Sequence, residues 1–170
     1  MSWEPMVVGV DGSAEAAGAA ALAQRIARVA GSECRLIHAV RDEWAPLAAV
    51  GDAKQVREMQ RLQLAVARQQ VTEALQGRVA PELFEMLDVR FGPAAVVLQQ
   101  VAEERRAGLL VLGGKHHNVV ERWFGGSTSL NVVRTATVPV LVTAGAPQAI
   151  RRVLVAADLS AAALPTVALA

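Results

Sequence analysis

The segment richest in chemistry is Gly113-Gly114-Lys115-His116-His117-Asn118-Val119-Val120-Glu121-Arg122-Trp123-Phe124-Gly125-Gly126-Ser127-Thr128-Ser129. It stands between an aliphatic run at 109–112 and a short helix expected over 127–136. A glycine at the end of a buried strand lets backbone approach a ligand with no Cβ in the way. Gly126-Ser127-Thr128 sets unpaired N–H groups and hydroxyls at a helix N-terminus, where the dipole favours an anion. Lys115 and Arg122 add positive charge. The chemistry expected of such a loop is the cradling of a phosphate. A glycine-rich turn followed by an ordinary serine cap accounts for the same residues equally well.

The other reactive side chains offer less. His38 lies inside an apolar run with no nucleophile beside it, so a histidine satisfied by its surroundings is favoured over a catalytic one. His116 and His117 are adjacent, not three or four apart, and a helix cannot turn both to one metal; no zinc site is expected. Asp11 has no flanking acid, and the fifth strand ends in Thr143 instead of a lysine, which argues against a receiver-type phosphoacceptor. Trp123-Phe124 reads as an apolar anchor of the loop, and residues 103–106 as a solvated helix end. Cys34, the single cysteine, opens an apolar run; it reads as a packed structural thiol, and it cannot form an internal disulfide. No Ser-His-Asp order, Cys-His pair or close carboxylate couple presents itself, so no catalytic residue is assigned.

The elements that must position the loop follow from periodicity. Residues 6–10 form a short apolar run closed by Asp11-Gly12-Ser13, a strand, a tight turn and a helix N-cap at Ser13. The alanine-rich helix that follows carries Leu22, Ile26 and Val29 on one face and stops at Gly31. A second strand is expected over 35–40, then a loop holding Trp44, Pro46 and Gly51. A long helix over about 54–76 shows Val56, Met59, Leu62 and Val66 at spacings of three and four. A third strand is expected over 83–91. Gly92-Pro93 opens another helix, with Pro93 at its first position and Arg105 and Arg106 in its last turn before Gly108. The fourth strand is 109–112 and the fifth 138–142, with Pro139 tolerable near a strand start or on an edge. Strands that are continuously apolar are covered on both faces, which means a parallel sheet sandwiched by helices, a five-stranded α/β fold of Rossmann-like type. Ligands in such sheets bind beyond the carboxyl ends of the strands, here Asp11, Ala39-Val40, Gly92 and Gly113.

One repeat is visible. Residues 153–160 restate the first strand and turn, with Asp158 and Ser160 each 147 positions after Asp11 and Ser13 (158 − 11 = 160 − 13 = 147) and alanines following in both copies. The expected organisation is one domain over 1–144, a linker over 145–151, and the beginning of a second, incomplete copy over 152–170.

Taken together, these residues resemble the universal stress proteins. That family has Gly-x2-Gly-x9-Gly-Ser/Thr after its fourth strand, then a short helix and a Val-Pro-Val strand. This chain gives Gly113-x2-His116-x9-Gly126-Ser127 and then Val138-Pro139-Val140. Its opening Val8-Gly9-Val10-Asp11-Gly12-Ser13 is similar to the family's first strand, and Leu36-Ile37-His38-Ala39-Val40 to its second. The resemblance covers roughly residues 6–143, and a tandem pair in one polypeptide also occurs in the family. It implies an adenine nucleotide, ATP in the first place, with Mg2+ arriving only with the nucleotide. Asp11 and the backbone near Val10 would meet adenine or ribose, and Ala39 would pack the base. Leu112, Gly113, Gly126, Ser127 and Thr128 would hold ribose and phosphates. His116 departs from the pattern at the place of the second glycine, where its side chain fills the phosphate space or donates to it. Pairing through the strand 138–142, with a second copy of the chain or with the second repeat, is also implied.

Composition bounds the remaining classes. Hydrophobic residues make up 53% of the 170, charged ones 19% and aromatic ones 4% with no Tyr, so the core is aliphatic and disorder is excluded. The net charge of +1, from 17 basic and 16 acidic residues, gives no basic surplus for nucleic acid. The N-terminus shows no signal-peptide pattern, and the longest uncharged stretch, broken by Pro139 and Pro147, is too short to span a bilayer; a cytoplasmic protein is expected. The function expected is a stress-responsive regulatory binding protein. The alternatives are a slow adenine-nucleotide hydrolase using the same loop with a divalent metal, or a protein-interaction module whose loop is empty.

Overall fold

The computed structural model describes residues 3–48, 51–114, 128–144, 150, 152 and 154. His116, Gly126, Ser127, Trp123-Phe124 and nearly all of the repeated segment lie outside the described residues. In chain order the elements are β1 (Met6–Gly9), α1 (Ala14–Ala30), β2 (Cys34–Val40), a 3-10 turn (Ala45–Leu47), α2 (Ala53–Leu75), α3 (Glu82–Glu85), β3 (Asp88–Phe91), α4 (Ala94–Glu104), β4 (Leu109–Gly114), α5 (Thr128–Thr135) and β5 (Val140–Ala144). All four strand pairings are parallel, in the order β3-β2-β1-β4-β5. This is the expected five-stranded α/β sandwich. The order winds outward from β1 through β2 to β3, then restarts on the other side with β4, so the switch point falls between β1 and β4.

Strand alternation divides the core in two. Met6, Val8, Leu36 and Val111 face α1, together with Val71 and Leu75 of α2. Val7, Ile37, Leu110 and Leu112 face Val97, Leu98 and Val101 of α4 and Val132 of α5. The turn after β1 behaves as its residues dictate: Ser13 Oγ accepts from the Ala16 N–H at 3.2 Å and caps α1. At the far end Gly31 takes the left-handed conformation and its N–H donates to the Ala27 carbonyl.

Both long helices bury only part of the face their large apolar residues suggest: Ile26 of α1 packs partly buried against the core and Val56 of α2 is buried. In α1 the buried residues are Ala16, Ala17, Ala19, Ala20, Ala23 and Ala27, whereas Val29 is 91% exposed. The helix lies so close to the sheet that alanine is what fits: a Cβ on Gly113 would sit 2.5 Å from the Glu15 carbonyl carbon. In α2 the buried residues are Val56, Ala67, Val71 and Leu75, while Met59, Leu62 and Val66 are exposed. Two positions on the inward face are glutamines. Gln60 donates to Asp42 at 2.7 Å and Gln63 to the Arg41 carbonyl at 2.9 Å, tying the first half of α2 to the loop after β2.

Element boundaries differ at three further places. The strand expected over 83–91 is β3 only from Asp88, because Pro81 starts a helical turn in which the Leu83 and Phe84 N–H groups donate to the Ala80 and Pro81 carbonyls. Pro93 caps α4 instead of occupying its first position, and the helix ends at Glu104, so that Arg105 is its C-cap and Arg106 follows with a positive φ instead of lying in the last turn. β5 starts at Val140: Pro139 has no N–H to give the ladder, and its carbonyl supplies the first rung by accepting from the Leu110 N–H. Beyond the sheet, Leu154 stands at the place of Val7 in the repeat (154 − 147 = 7); it is 97% exposed where Val7 is fully buried, so Leu154 takes no part in this domain's core. Among the described residues no helix is long and apolar enough to cross a membrane.

Candidate functional site

A cleft opens at the carboxyl ends of β1, β2 and β4, at the switch point. It is a shallow cleft, half open to solvent. Val10, Asp11, Ala39, Leu112, Gly113 and Thr128 all line it. These are six of the nine residues expected from sequence; the other three, His116, Gly126 and Ser127, lie outside the described residues.

Each wall has a local cause. Strand alternation puts Ile37 and Ala39 on the α4 side of the sheet, where Ala94 and Leu98 complete an apolar wall. Gly92 and Pro93 set the direction of that wall by ending β3 and starting α4. On the opposite side β4 runs on past the end of β1, through Gly113 and Gly114. Ser129 Oγ donates to the Gly113 carbonyl at 3.2 Å and fixes the start of α5 against the strand end. Thr128 begins that helix, so its backbone N–H is among those without an acceptor inside the helix.

Gly113 has a structural reason beyond ligand approach. An added Cβ would lie 2.5 Å from the Glu15 carbonyl carbon and 2.7 Å from the Ala16 nitrogen, both backbone atoms of α1. The missing side chain therefore first lets α1 start directly against β4. Gly12 serves the same end by another route: its φ of +78° is the left-handed conformation that the Asp11-Gly12-Ser13 turn requires. Asp11 is exposed at the rim, and its Oδ1 accepts from the Ser13 N–H at 3.0 Å.

The floor is set by where the β1–β2 ladder stops. Pairing runs from Met6↔Cys34 to Gly9↔Ile37, and the Val10 N–H donates to the Ile37 carbonyl at 2.9 Å. In a parallel ladder the next rung would run from the Ala39 N–H to the Val10 carbonyl. Instead the Val10 carbonyl accepts from Nδ1 of His38 at 2.7 Å. Because alternate residues of β2 face alternate neighbours, and the Val40 carbonyl serves Gly92 on the β3 side, the N–H and C=O of Ala39 face the side on which β1 has ended. They point into the space that the Asp11–Ser13 turn vacates. The family resemblance implied Ala39 as a residue packing the base; its backbone groups become available only through the ladder's termination. Ala94, Leu98 and Ser129 were not singled out from sequence, although Gly92-Pro93 at a strand end marked the place for the first two.

Among the described residues the titratable side chains lining the cleft are Asp11 and His38, each already hydrogen-bonded to backbone. No group of three His, Cys, Asp or Glu residues that could hold a metal ion occurs among the described residues.

The sequence profile of the Universal stress protein family matches residues 2–144. No curated protein matches the chain in sequence. Among solved structures, a universal stress protein in complex with cAMP is 24% identical, with a TM-score of 0.53 over 85% of this chain and 98% of that one. A hypothetical protein whose biochemical function was assigned from its structure is 16% identical, with a TM-score of 0.63 over 87% of this chain and 100% of the other. The universal stress protein UspA from Lactobacillus plantarum is 21% identical, with a TM-score of 0.53, covering 84% and 98%. At these identities the likeness is one of fold.

Proposed function

The chain belongs to the universal stress protein family, and from that premise we propose that it is a regulatory binding protein that holds an adenine nucleotide at the β1/β4 switch point. The observation that carries the reading is the convergence of Val10, Asp11, Ala39, Leu112, Gly113 and Thr128, drawn from four separate stretches of sequence, on one cleft. The fit to a nucleotide follows from chemistry. An N–H and a C=O side by side at Ala39 match the edge of adenine, whose ring N1 accepts and whose amino group donates. Guanine presents the reverse pair, a donating N1 and an accepting O6, and is disfavoured. Leu98 and Leu112 give the base apolar surfaces. The start of α5 at Thr128, with the dipole behind it, suits a phosphate. A fold neighbour bound to cAMP supports an adenine ring as the common element.

Mg2+ enters this reading only with the nucleotide, since a magnesium ion is held chiefly by phosphate oxygens and water in such sites. Binding is the proposed role, with Asp11 holding the Ser13 N–H through Oδ1 and His38 the Val10 carbonyl through Nδ1. Mass spectrometry of whatever the purified protein releases on denaturation, followed by calorimetric titration with ATP, cAMP and GTP, tests the proposal. The expected result is an adenine nucleotide in the supernatant or uptake of ATP or cAMP in preference to GTP. A protein that emerges empty and takes up neither adenine nucleotide overturns it.

A further inference from the structure

We propose that His38 is the positioning residue that keeps the cleft open. Its imidazole takes the Val10 carbonyl out of the β1–β2 ladder, so the Ala39 N–H stays available to a ligand. The proposal rests on the nucleotide reading of the cleft for its consequence, but not for its structural content.

The regular continuation of the ladder would consume the Ala39 N–H. A backbone carbonyl and a backbone N–H at the end of two paired strands satisfy each other by default, because either group left unpaired away from water is costly. Here the pairing stops at Gly9↔Ile37, one rung short. The carbonyl that would have taken the rung has a side-chain donor from 28 residues away, His38 Nδ1 at 2.7 Å. A carbonyl oxygen only accepts, so Nδ1 carries the proton. Both the neutral Nδ1–H form and the imidazolium donate from this atom, and the device needs no particular charge. His38 acts from the α1 side of the sheet, since β2 alternation sets it with Cys34 and Leu36 and opposite Ile37 and Ala39. The side chain therefore satisfies the strand end from the α1 side of the cleft, opposite the apolar wall of Ala39, Ala94 and Leu98. An apolar residue at position 38 would suit an ordinary buried strand as well, and would let the rung close.

Three substitutions separate this from a merely structural role. His38→Asn places an amide N–H at about the reach of Nδ1 and keeps the bond; His38→Leu removes it. His38→Gln stays polar but carries its amide at the reach of Nε2, and it behaves as the leucine variant does. Amide hydrogen exchange in the ligand-free protein reads the rung directly. In the wild type the Ala39 amide exchanges at least tenfold faster than that of Ile37. In His38→Leu and His38→Gln it becomes protected, and ATP binds about tenfold more weakly, the order expected for one hydrogen bond lost to a competitor. His38→Asn stays within about twofold of wild type in both readouts. An Ala39 amide already as protected as Ile37 in the wild type overturns the inference. So does a leucine or glutamine variant that binds ATP as the wild type does, or an asparagine variant as impaired as the others. If the wild type takes up no adenine nucleotide, the functional reading fails, while the exchange comparison still decides the role of His38.

Discussion

Replacing Gly113 with alanine tests the close approach on which the cleft depends. The new Cβ would lie 2.5 Å from the Glu15 carbonyl carbon, and 2.7 Å from both the Glu15 oxygen and the Ala16 nitrogen. Carbon atoms rest at about 3.5–4.0 Å, so the overlap is on the order of 1 Å. The atoms in the way are backbone, held by the Ser13 cap, and no side chain can rotate aside. α1 must therefore shift off β4 along the alanine seam on which it packs. Overpacking of this kind costs about 1–3 kcal/mol, and at this chain length each kcal/mol lowers Tm by about 2–4 °C, giving a fall of about 2–12 °C in a thermal melt. Gly31→Ala is the control: its φ is +64° but nothing lies within 4 Å of the added Cβ, so only the left-handed penalty of about 1–2 kcal/mol applies. Both variants lose stability, but Gly113→Ala alone also weakens ATP binding, because it displaces the Asp11–Ser13 turn. A Gly113→Ala protein that melts within about 1 °C of wild type and binds ATP unchanged would refute the close-packing argument.

His116→Gly is expected to tighten ATP binding, since a glycine motif exists to let backbone approach the phosphates; calorimetry at pH 6 and pH 8 in which the wild type binds more tightly, above all at pH 6, would make His116 a phosphate ligand instead. Burial pushes the Cys34 thiol up to about 11 from an ordinary 9.0. The folded state thus holds its proton longer than the unfolded one, and stability present below about pH 9 is lost as pH rises through 11, by roughly 2–3 kcal/mol. Urea titrations at pH 7, 9 and 11 should show that loss in the wild type and a flatter profile in Cys34→Ala; equal profiles would remove burial of the thiol as the cause. Among the described residues β5 pairs only with β4 and carries Val142 at 41% exposure, so the domain is expected to self-associate along this edge. Sedimentation velocity should show Val142→Lys shifting the protein toward monomer, and a wild type monomeric at all concentrations would contradict it.

Some features of this protein are local, and sequence determined them. The run before Asp11, the obligatory turn at Gly12, the cap at Ser13 and the stop at Gly31 each depend on neighbours within four residues, and each appears where the residue types put it. The strand alternation that sends Val10 and His38 to one face and Ala39 to the other is equally local. From these, the parallel sheet and the location of a cleft at Asp11, Ala39 and Gly113 follow. What only the tertiary structure decided concerns distances between elements. Hydrophobic periodicity marked Leu22, Ile26 and Val29; Ile26 packs partly buried against the core, yet the fully buried residues of α1 are alanines, because the start of the helix lies directly against β4. It marked Met59, Leu62 and Val66, yet α2 turns Gln60 and Gln63 inward, because the loop after β2 offers them hydrogen-bonding partners. Gly113 read as room for a ligand and is first of all room for a helix. His38 read as a satisfied histidine, and it is one. That it is satisfied by the carbonyl of Val10, and so leaves the backbone of Ala39 facing the cleft, depends on where two strands separated by a whole helix cease to pair, and no window of sequence contains that.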